Sequence, residues 1–354
     1  MAERIYSQRL GKIADEQFQA ALDHFHLGCF LHAEAIPFGN FGQNVFVTST
    51  TGEYVLRGCP HIWWQFPTEQ FFARQLYKRT SVPVPWPYLV ETSPEIFGWS
   101  FVLMPRMSGL QLADPQVKAQ LGTADKLGIA RALGKNMAHM QELTWPIAGR
   151  YNAARETVEL FERTQEFPWL SMESLSDIET ITYSERVLGH LRHRLASAHT
   201  CNAATTTQED LAWVEELIAE AQEAFDEPYE PCFLMEDYKE GNLVVTQHSN
   251  SWQVSGLFDL MQAHFGDGES DLSRPIGEYL NEDPQLAGTF FEEYRRHRVL
   301  RSGFARRFPV YMLLDRAILW EFFQRQGWSW WPEEWTFRNW ASQYIAPEVI
   351  LNQL

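Results

Sequence analysis

Between Phe233 and Asp259 the chain leaves the helical spacing of apolar residues that surrounds it and turns to short strands. The stretch reads Phe-Leu-Met-Glu-Asp-Tyr-Lys-Glu-Gly-Asn-Leu-Val-Val, then a polar turn, then Trp-Gln-Val-Ser-Gly-Leu-Phe-Asp. Short apolar runs joined by turn residues predict a hairpin set among helices. Three oxygen-bearing side chains sit at its strand edges. Asp237 and Asn242 lie in the loop before Leu243, and Asp259 ends the strand that returns through Val254 and Leu257.

Upstream, the spacing of Phe18, Leu22 and Phe25 behind Asp15 predicts a helix that stops near Gly28. Residues 44–49 and 53–57 read as strands joined by Thr51-Gly52. A helix is expected over 67–79, with Glu69, Phe72 and Leu76, and the run Val82-Pro-Val-Pro-Trp-Pro cannot continue it. Trp99 to Met104 reads as another strand. Beyond Pro105 the pattern becomes helical. Thr123 is a candidate cap, a helix is expected over 178–198, and Thr206 with Glu209 suggests a capping box. Helical spacing resumes after about residue 272. The expected fold class is therefore α+β. A small mixed-sheet lobe, residues 1–105, precedes a larger helical lobe, residues 106–354, that carries the hairpin.

The balance of charge narrows the partners. Lys plus Arg is 29 against 46 Asp plus Glu, a net −17 over 354 residues. A nucleic-acid surface needs a basic patch, so this balance argues against one. It is compatible with a cationic small molecule. No apolar run approaches the roughly 20 residues of a membrane span, and the basic N-terminus has no apolar stretch behind it. Cys29, Cys59, Cys201 and Cys232 show neither metal-ligand spacing nor a disulfide framework, which fits a reducing cytoplasm.

Several further features bear on chemistry. Gly39, Asn40 and Gly42 lie in a loop whose backbone can approach a phosphate, although the same residues suit an ordinary turn. Arg57 ends a strand and Glu69 opens the next helix. A cation there can reach phosphates while a helix carboxylate pins it; a surface cation and a dipole-favoured acid are the plainer reading. The strand ending at Met104, followed by Pro105 and Arg106, offers backbone partners to an adenine or serves only as a connector. Asn242 and Asp259 are expected to face one ion across the hairpin, with Asp237 near. Amide and carboxylate oxygens suit magnesium, which keeps waters and phosphate oxygens for its remaining positions. Ser270 or Asp271 is read as the cap of the next helix, and the C-terminal tryptophans as core anchors.

In this order these residues resemble the aminoglycoside phosphotransferase-like family, which has a protein-kinase-like fold. The resemblance covers roughly residues 15–345. It rests on Gly39 to Asn44, Tyr54-Val-Leu-Arg57, Glu69, Pro83-Val-Pro-Trp-Pro, Met104-Pro, Asp237 to Asn242 and Phe258-Asp259. It implies ATP or GTP with magnesium, and transfer of a γ-phosphoryl group to a hydroxyl of a small molecule. It further implies that Asp237 is the catalytic aspartate and that Asn242 and Asp259 are metal ligands. Arg57 is then the phosphate-binding cation and Glu69 its partner.

The chain departs from the family's usual His-Gly-Asp, having Met235-Glu236-Asp237. Met235 either braces the loop by packing or leaves it unbraced. Glu236 puts a like charge beside Asp237, which is expected to raise its pKa or to hinder phosphate approach. A catalytically silent nucleotide- or small-molecule-binding protein on the same fold is the alternative. Neither the acceptor nor the oligomeric state is encoded in these motifs.

Overall fold

The computed structural model describes residues 12–36, 43–58, 65–169 and 180–353. The chain divides into two compact units. One comprises Met1–Leu121 with Glu240–Ala263, the other Gly122–Lys239 with His264–Leu354.

The first unit is built on an antiparallel sheet of order β1-β2-β3-β5-β4. Its strands are β1 (Phe30–Ala35), β2 (Gln43–Ser49), β3 (Gly52–Gly58), β4 (Leu89–Glu91) and β5 (Phe101–Pro105). Helix α1 (Asp15–His24) buries Phe18, Ala21 and Leu22, the apolar stripe that its spacing predicts. These side chains join Val45, Val47, Leu56, Phe101 and Leu103 from alternate strand positions in one core. The chain leaves α1 through Gly28 at φ +80°, a left-handed conformation that suits glycine.

Strand β1 has no counterpart in the sequence reading. It is an edge strand and mostly exposed, so pairing with β2 defines it rather than an alternating apolar pattern.

Helix α2 (Phe66–Arg79) has Pro67 in its first turn, where a missing N–H costs nothing. It buries Phe66, Glu69, Phe72, Ala73 and Leu76. The hairpin strands Leu243–His248 and Ser251–Leu257 also belong to this unit. Ser249 and Asn250 turn between them, both at positive φ, as a two-residue hairpin loop with the native twist requires. Leu110–Gln111 adds a third strand, and Leu257 N–H donates to the Pro83 carbonyl at 2.8 Å.

Cys232–Leu234 lies outside this hairpin. It pairs instead with His264–Gly266 in the second unit.

The second unit is mainly helical. Helix Thr123–Met140 starts with Thr123 as its first residue, not its cap. Gly122 precedes it, and its N–H donates to Asp125 Oδ2 at 3.1 Å. This helix packs on Pro284–His297. Gly134 permits the approach, because a Cβ there would lie 2.3 Å from the Phe290 carbonyl oxygen.

Helix Tyr183–Cys201 is capped by Thr182 and Glu185. Helix Gln208–Phe225 is capped by Thr207 and Asp210, one residue beyond the expected Thr206 and Glu209. The Thr206 hydroxyl is taken by Trp320 Nε1 at 2.9 Å, so it does not cap. Trp320 stacks on Trp331 and Trp340, with ring centroids 4.4 and 5.4 Å away, and anchors the long helix Phe304–Gln326. Burying an aromatic side chain of this size stabilises by roughly 1.5–3 kcal/mol.

Candidate active site

In the first unit the central feature is Arg57. It is the penultimate residue of β3, and its side chain is only 7% exposed. Nη1 donates to Glu69 Oε2 and Nη2 to Asp259 Oδ1, each at 3.0 Å. Tyr88 Oη donates to the same Glu69 oxygen at 3.0 Å. One planar guanidinium thus joins the first turn of α2 to the residue just beyond the hairpin.

Burial opposes charge on this arginine. Glu69 and Asp259 outweigh it and hold the guanidinium above its ordinary pKa. Burial pushes the Glu69 carboxyl up to about 7 against the pull of Arg57. Expected as neighbours, Arg57 and Glu69 are in direct contact.

Asn242 and Asp259 flank the open end of the hairpin. Asn242 closes the 3₁₀ turn Glu240–Asn242, and its carbonyl accepts from Phe258 N–H at 3.0 Å. The ladder begins with Leu243 opposite Leu257. Asp259 adopts φ +71°, a conformation that short polar side chains tolerate.

These two residues offer an amide and a carboxylate oxygen, the hard donors magnesium prefers. Arg57 engages Asp259 through Oδ1. No cluster of three or more His, Cys, Asp or Glu suited to a metal occurs among the described residues. Such a sparse set fits an ion that brings phosphate and water ligands with it rather than one caged by protein.

Met104 is buried in β5 opposite Val55. Arg106 N–H donates to the Glu53 carbonyl at 3.0 Å, and its guanidinium lies 3.8 Å over the Phe46 ring. Gly39, Asn40 and Gly42 lie outside the described residues.

In the second unit Asp237 follows the strand Cys232–Leu234. Its Oδ2 meets Lys239 Nζ at 2.6 Å. Its Oδ1 accepts from Arg274 Nε and Nη2 at 3.2 and 3.0 Å. Arg274 also reaches Asp315 Oδ1 through Nη1 at 3.3 Å. Burial would raise the Asp237 pKa, but Arg274 and then Lys239 outweigh it and hold the carboxyl below its ordinary value. The expected rise from Glu236 is therefore not what the structure shows.

Glu236 turns away to Arg186, with Oε1 2.8 Å from Nη2. Burial opposes its ionisation too, yet Arg186, His264 and Arg150 draw its pKa down to about 2. Met235 is fully buried, which fits bracing by packing.

Asp271 does not cap a helix. Its two oxygens accept the N–H groups of Met235 and Glu236 at 2.7 and 2.8 Å, and Asp267 provides the local cap. Asp271 is buried, and burial pushes its pKa up to about 7 despite those bonds. Glu278, one helical turn beyond Arg274, is likewise pushed by burial to about 7. Around Asp237 the second unit thus gathers Asp315 and Glu278 with Arg274 and Lys239, a polar set able to hold a carboxylate ionised beside a hydroxyl. Sequence reading missed Lys239, Arg274, Asp271 and Arg186. Only Lys239, two residues after Asp237, had a local signal.

No curated protein sequence matches the chain. The phosphotransferase enzyme family matches residues 32–306. Among solved structures, a Ralstonia eutropha protein assigned to the aminoglycoside phosphotransferases superposes with a TM-score of 0.59 at 14% identity, covering 96% of this chain and 99% of that one. A thermostable mutant of aminoglycoside phosphotransferase APH(4)-Ia, in ternary complex with AMP-PNP and hygromycin B, gives 0.55 at 13% identity, covering 94% and 97%. The microcompartment-associated aminopropanol kinase gives 0.56 at 16% identity, covering 95% and 96%. At these identities the likeness is one of fold: the α+β class follows from the strand-then-helix order, and the kinase-like arrangement is what the family resemblance implies.

Proposed function

Because this chain belongs to the phosphotransferase enzyme family, we propose that it moves the γ-phosphoryl group of ATP or GTP, with magnesium, to a hydroxyl of a small molecule. The observation that carries this reading is the Arg57 fork, which ties Glu69 to Asp259 through one guanidinium. A buried cation fixed by a helix acid is suited to steady nucleotide phosphates. The AMP-PNP and hygromycin B bound in the APH(4)-Ia complex support a nucleoside triphosphate and a small-molecule acceptor here.

Each residue then has a distinct task. Gly39, Asn40 and Gly42 would cradle phosphates through backbone N–H groups. Met104 and Arg106 would border the base. Asn242 and Asp259 would hold magnesium, which when bound neutralises charge on the phosphates. Asp237 would orient the acceptor hydroxyl and take its proton late in the transfer. Its depressed pKa keeps it ionised for that role at neutral pH.

The chain's net −17 is compatible with an acceptor bearing a cationic group. The scattered free cysteines Cys29, Cys201 and Cys232 fit a cytoplasmic location. No helix among the described residues is long and apolar enough to cross a membrane.

The test is a phosphoryl-transfer screen of the full chain with γ-labelled ATP or GTP, magnesium and a panel of hydroxylated small molecules. Transfer that requires magnesium and fails in Asp237→Asn is the expected result. A second reading, a silent binding protein, draws on both Asp237 oxygens being held by cations. It expects no transfer to any acceptor.

A further inference from the structure

Glu236 stands immediately before Asp237 and holds a left-handed backbone at φ +61°. Glycine adopts that conformation readily, and a long side chain does so only where its surroundings enforce it. Two sets of contacts supply the enforcement. The N–H groups of Met235 and Glu236 each donate to one oxygen of buried Asp271. On the other arm of the residue, Glu236 Oε1 meets Arg186 Nη2 at 2.8 Å and lies 3.7 Å from His264 Nε2.

Arg186 is itself immobilised. Its side chain is only 4% exposed, and Nε donates to Glu166 Oε2 at 2.8 Å. Its guanidinium lies 5.2 Å from the Phe161 ring and 5.9 Å from the Tyr183 ring. Arg150 and His190 complete the shell of Glu166. A chain of ion pairs therefore runs from the helix Tyr183–Cys201 to the peptide that carries Asp237.

We infer that Glu236 is a positioning residue, whose ion pair with Arg186 holds the left-handed turn that sets Asp237 against Lys239 and Arg274. This rests on the reading of Asp237 as the carboxylate that orients the acceptor. Glu236 acts through that turn and does not meet the acceptor. An error of about 1 Å at a reacting group can cost ~100-fold in rate, so a side-chain tether on the adjacent residue has a measurable effect.

The experiment compares the full chain with Glu236→Gly, Glu236→Gln, Arg186→Met, the double variant Glu236→Gly with Arg186→Met, and Asp237→Asn. Turnover of Mg-ATP is followed as loss of its γ-phosphate, to an acceptor or to water, and Mg-ATP binding is followed by thermal shift. Glycine accepts the backbone without strain, so its effect isolates the tether. The expected result is a fall in kcat of ~10–100-fold for Glu236→Gly, with the KM for Mg-ATP and the thermal response unchanged.

Glutamine keeps a hydrogen bond to Arg186 and recovers most of that loss. Arg186→Met loses at least as much as Glu236→Gly, since it also frees Glu166, and the double variant adds little to Arg186→Met because the Glu236 tether is already gone. If Arg186→Met does not fold, the two Glu236 variants decide. Parental kcat in Glu236→Gly overturns the tether, as does a change confined to KM. Parental turnover in Asp237→Asn overturns the reading of the base instead.

Discussion

Arg57 Nη2 lies 3.0 Å from Asp259 Oδ1, a contact between residues 202 positions apart. It fastens β3 to the far end of the hairpin within one unit. The same guanidinium holds Glu69, so removing it strands two carboxylates at once. Arg57→Met is expected to lower stability by about 3–5 kcal/mol, the cost of breaking a buried pair from one side. Arg57→Lys keeps the charge but cannot fork between two acids, so it should lose less stability. Urea unfolding of the three proteins orders them, and equal midpoints for all would refute the fork.

Asp237→Asn removes the proton acceptor but preserves shape. Turnover should fall by ~10²–10⁴-fold, the usual contribution of a positioned general base. Nucleotide affinity should stay near that of the parent. Steady-state kinetics beside a nucleotide titration checks both halves, and an affinity loss equal to the rate loss would point to a binding role.

Magnesium should be required for nucleotide to stabilise the fold. A ligand at a hundredfold excess over its Kd stabilises by about 2.7 kcal/mol. ATP with magnesium is expected to raise the Tm, and chelation should abolish most of the gain. Asn242→Ala and Asp259→Asn should behave like the chelated parent. A magnesium-independent shift would remove the metal from the assignment of these two residues.

The Glu236 carboxyl is drawn from 4.5 down to about 2, chiefly by Arg186 against the effect of burial. A depressed carboxyl contributes stability above its unfolded pKa. That contribution declines as pH falls from about 4.5 and is gone below about 2. Glu236→Gln should therefore flatten the loss of stability across that acid window and change its slope little at pH 7. Denaturant midpoints measured at several pH values give the comparison. Parallel curves for parent and variant would contradict the ion pair.

Gly134 sits where a Cβ would lie 2.3 Å from the Phe290 carbonyl oxygen. That neighbour is backbone, so relief requires two helices to separate. Gly134→Ala is expected to cost about 1–3 kcal/mol, the range for overpacking a tight core. A shift in Tm measures it, and an unchanged Tm would show that the helices adjust freely.

What could be read from the sequence was local. The hairpin declares itself through valines and a polar turn, and α2 through its apolar stripe and the prolines that follow. Edge strand β1 left no pattern, because hydrogen bonds to β2 define it more than burial does. Asp271 resembled a cap because it is acidic and precedes a helix. Its partners are backbone N–H groups 35 and 36 residues away, which no short window contains. Arg274 and Arg186 carry no local signal, and only the folded chain reveals which acids they serve. Glu236 was visible as a departure from the usual glycine. Of its two expected effects, the rise in the Asp237 pKa does not occur, since the direction of a side chain is set by a partner the linear chain does not name.

The hairpin of residues 240–263 completes a unit whose other segment ends at Leu121. On the ribosome, therefore, the first 121 residues emerge without the strand pair that supplies Asp259 to Arg57. More than a hundred residues of the second unit must be synthesised before that partner arrives. Folding from the N-terminus, as many multidomain chains do, cannot finish here in that order. Proteolysis of stalled nascent chains should find protection of the N-terminal segment only after residue 263 has cleared the exit tunnel. Protection of chains halted near residue 160 would show that the early segment stands alone.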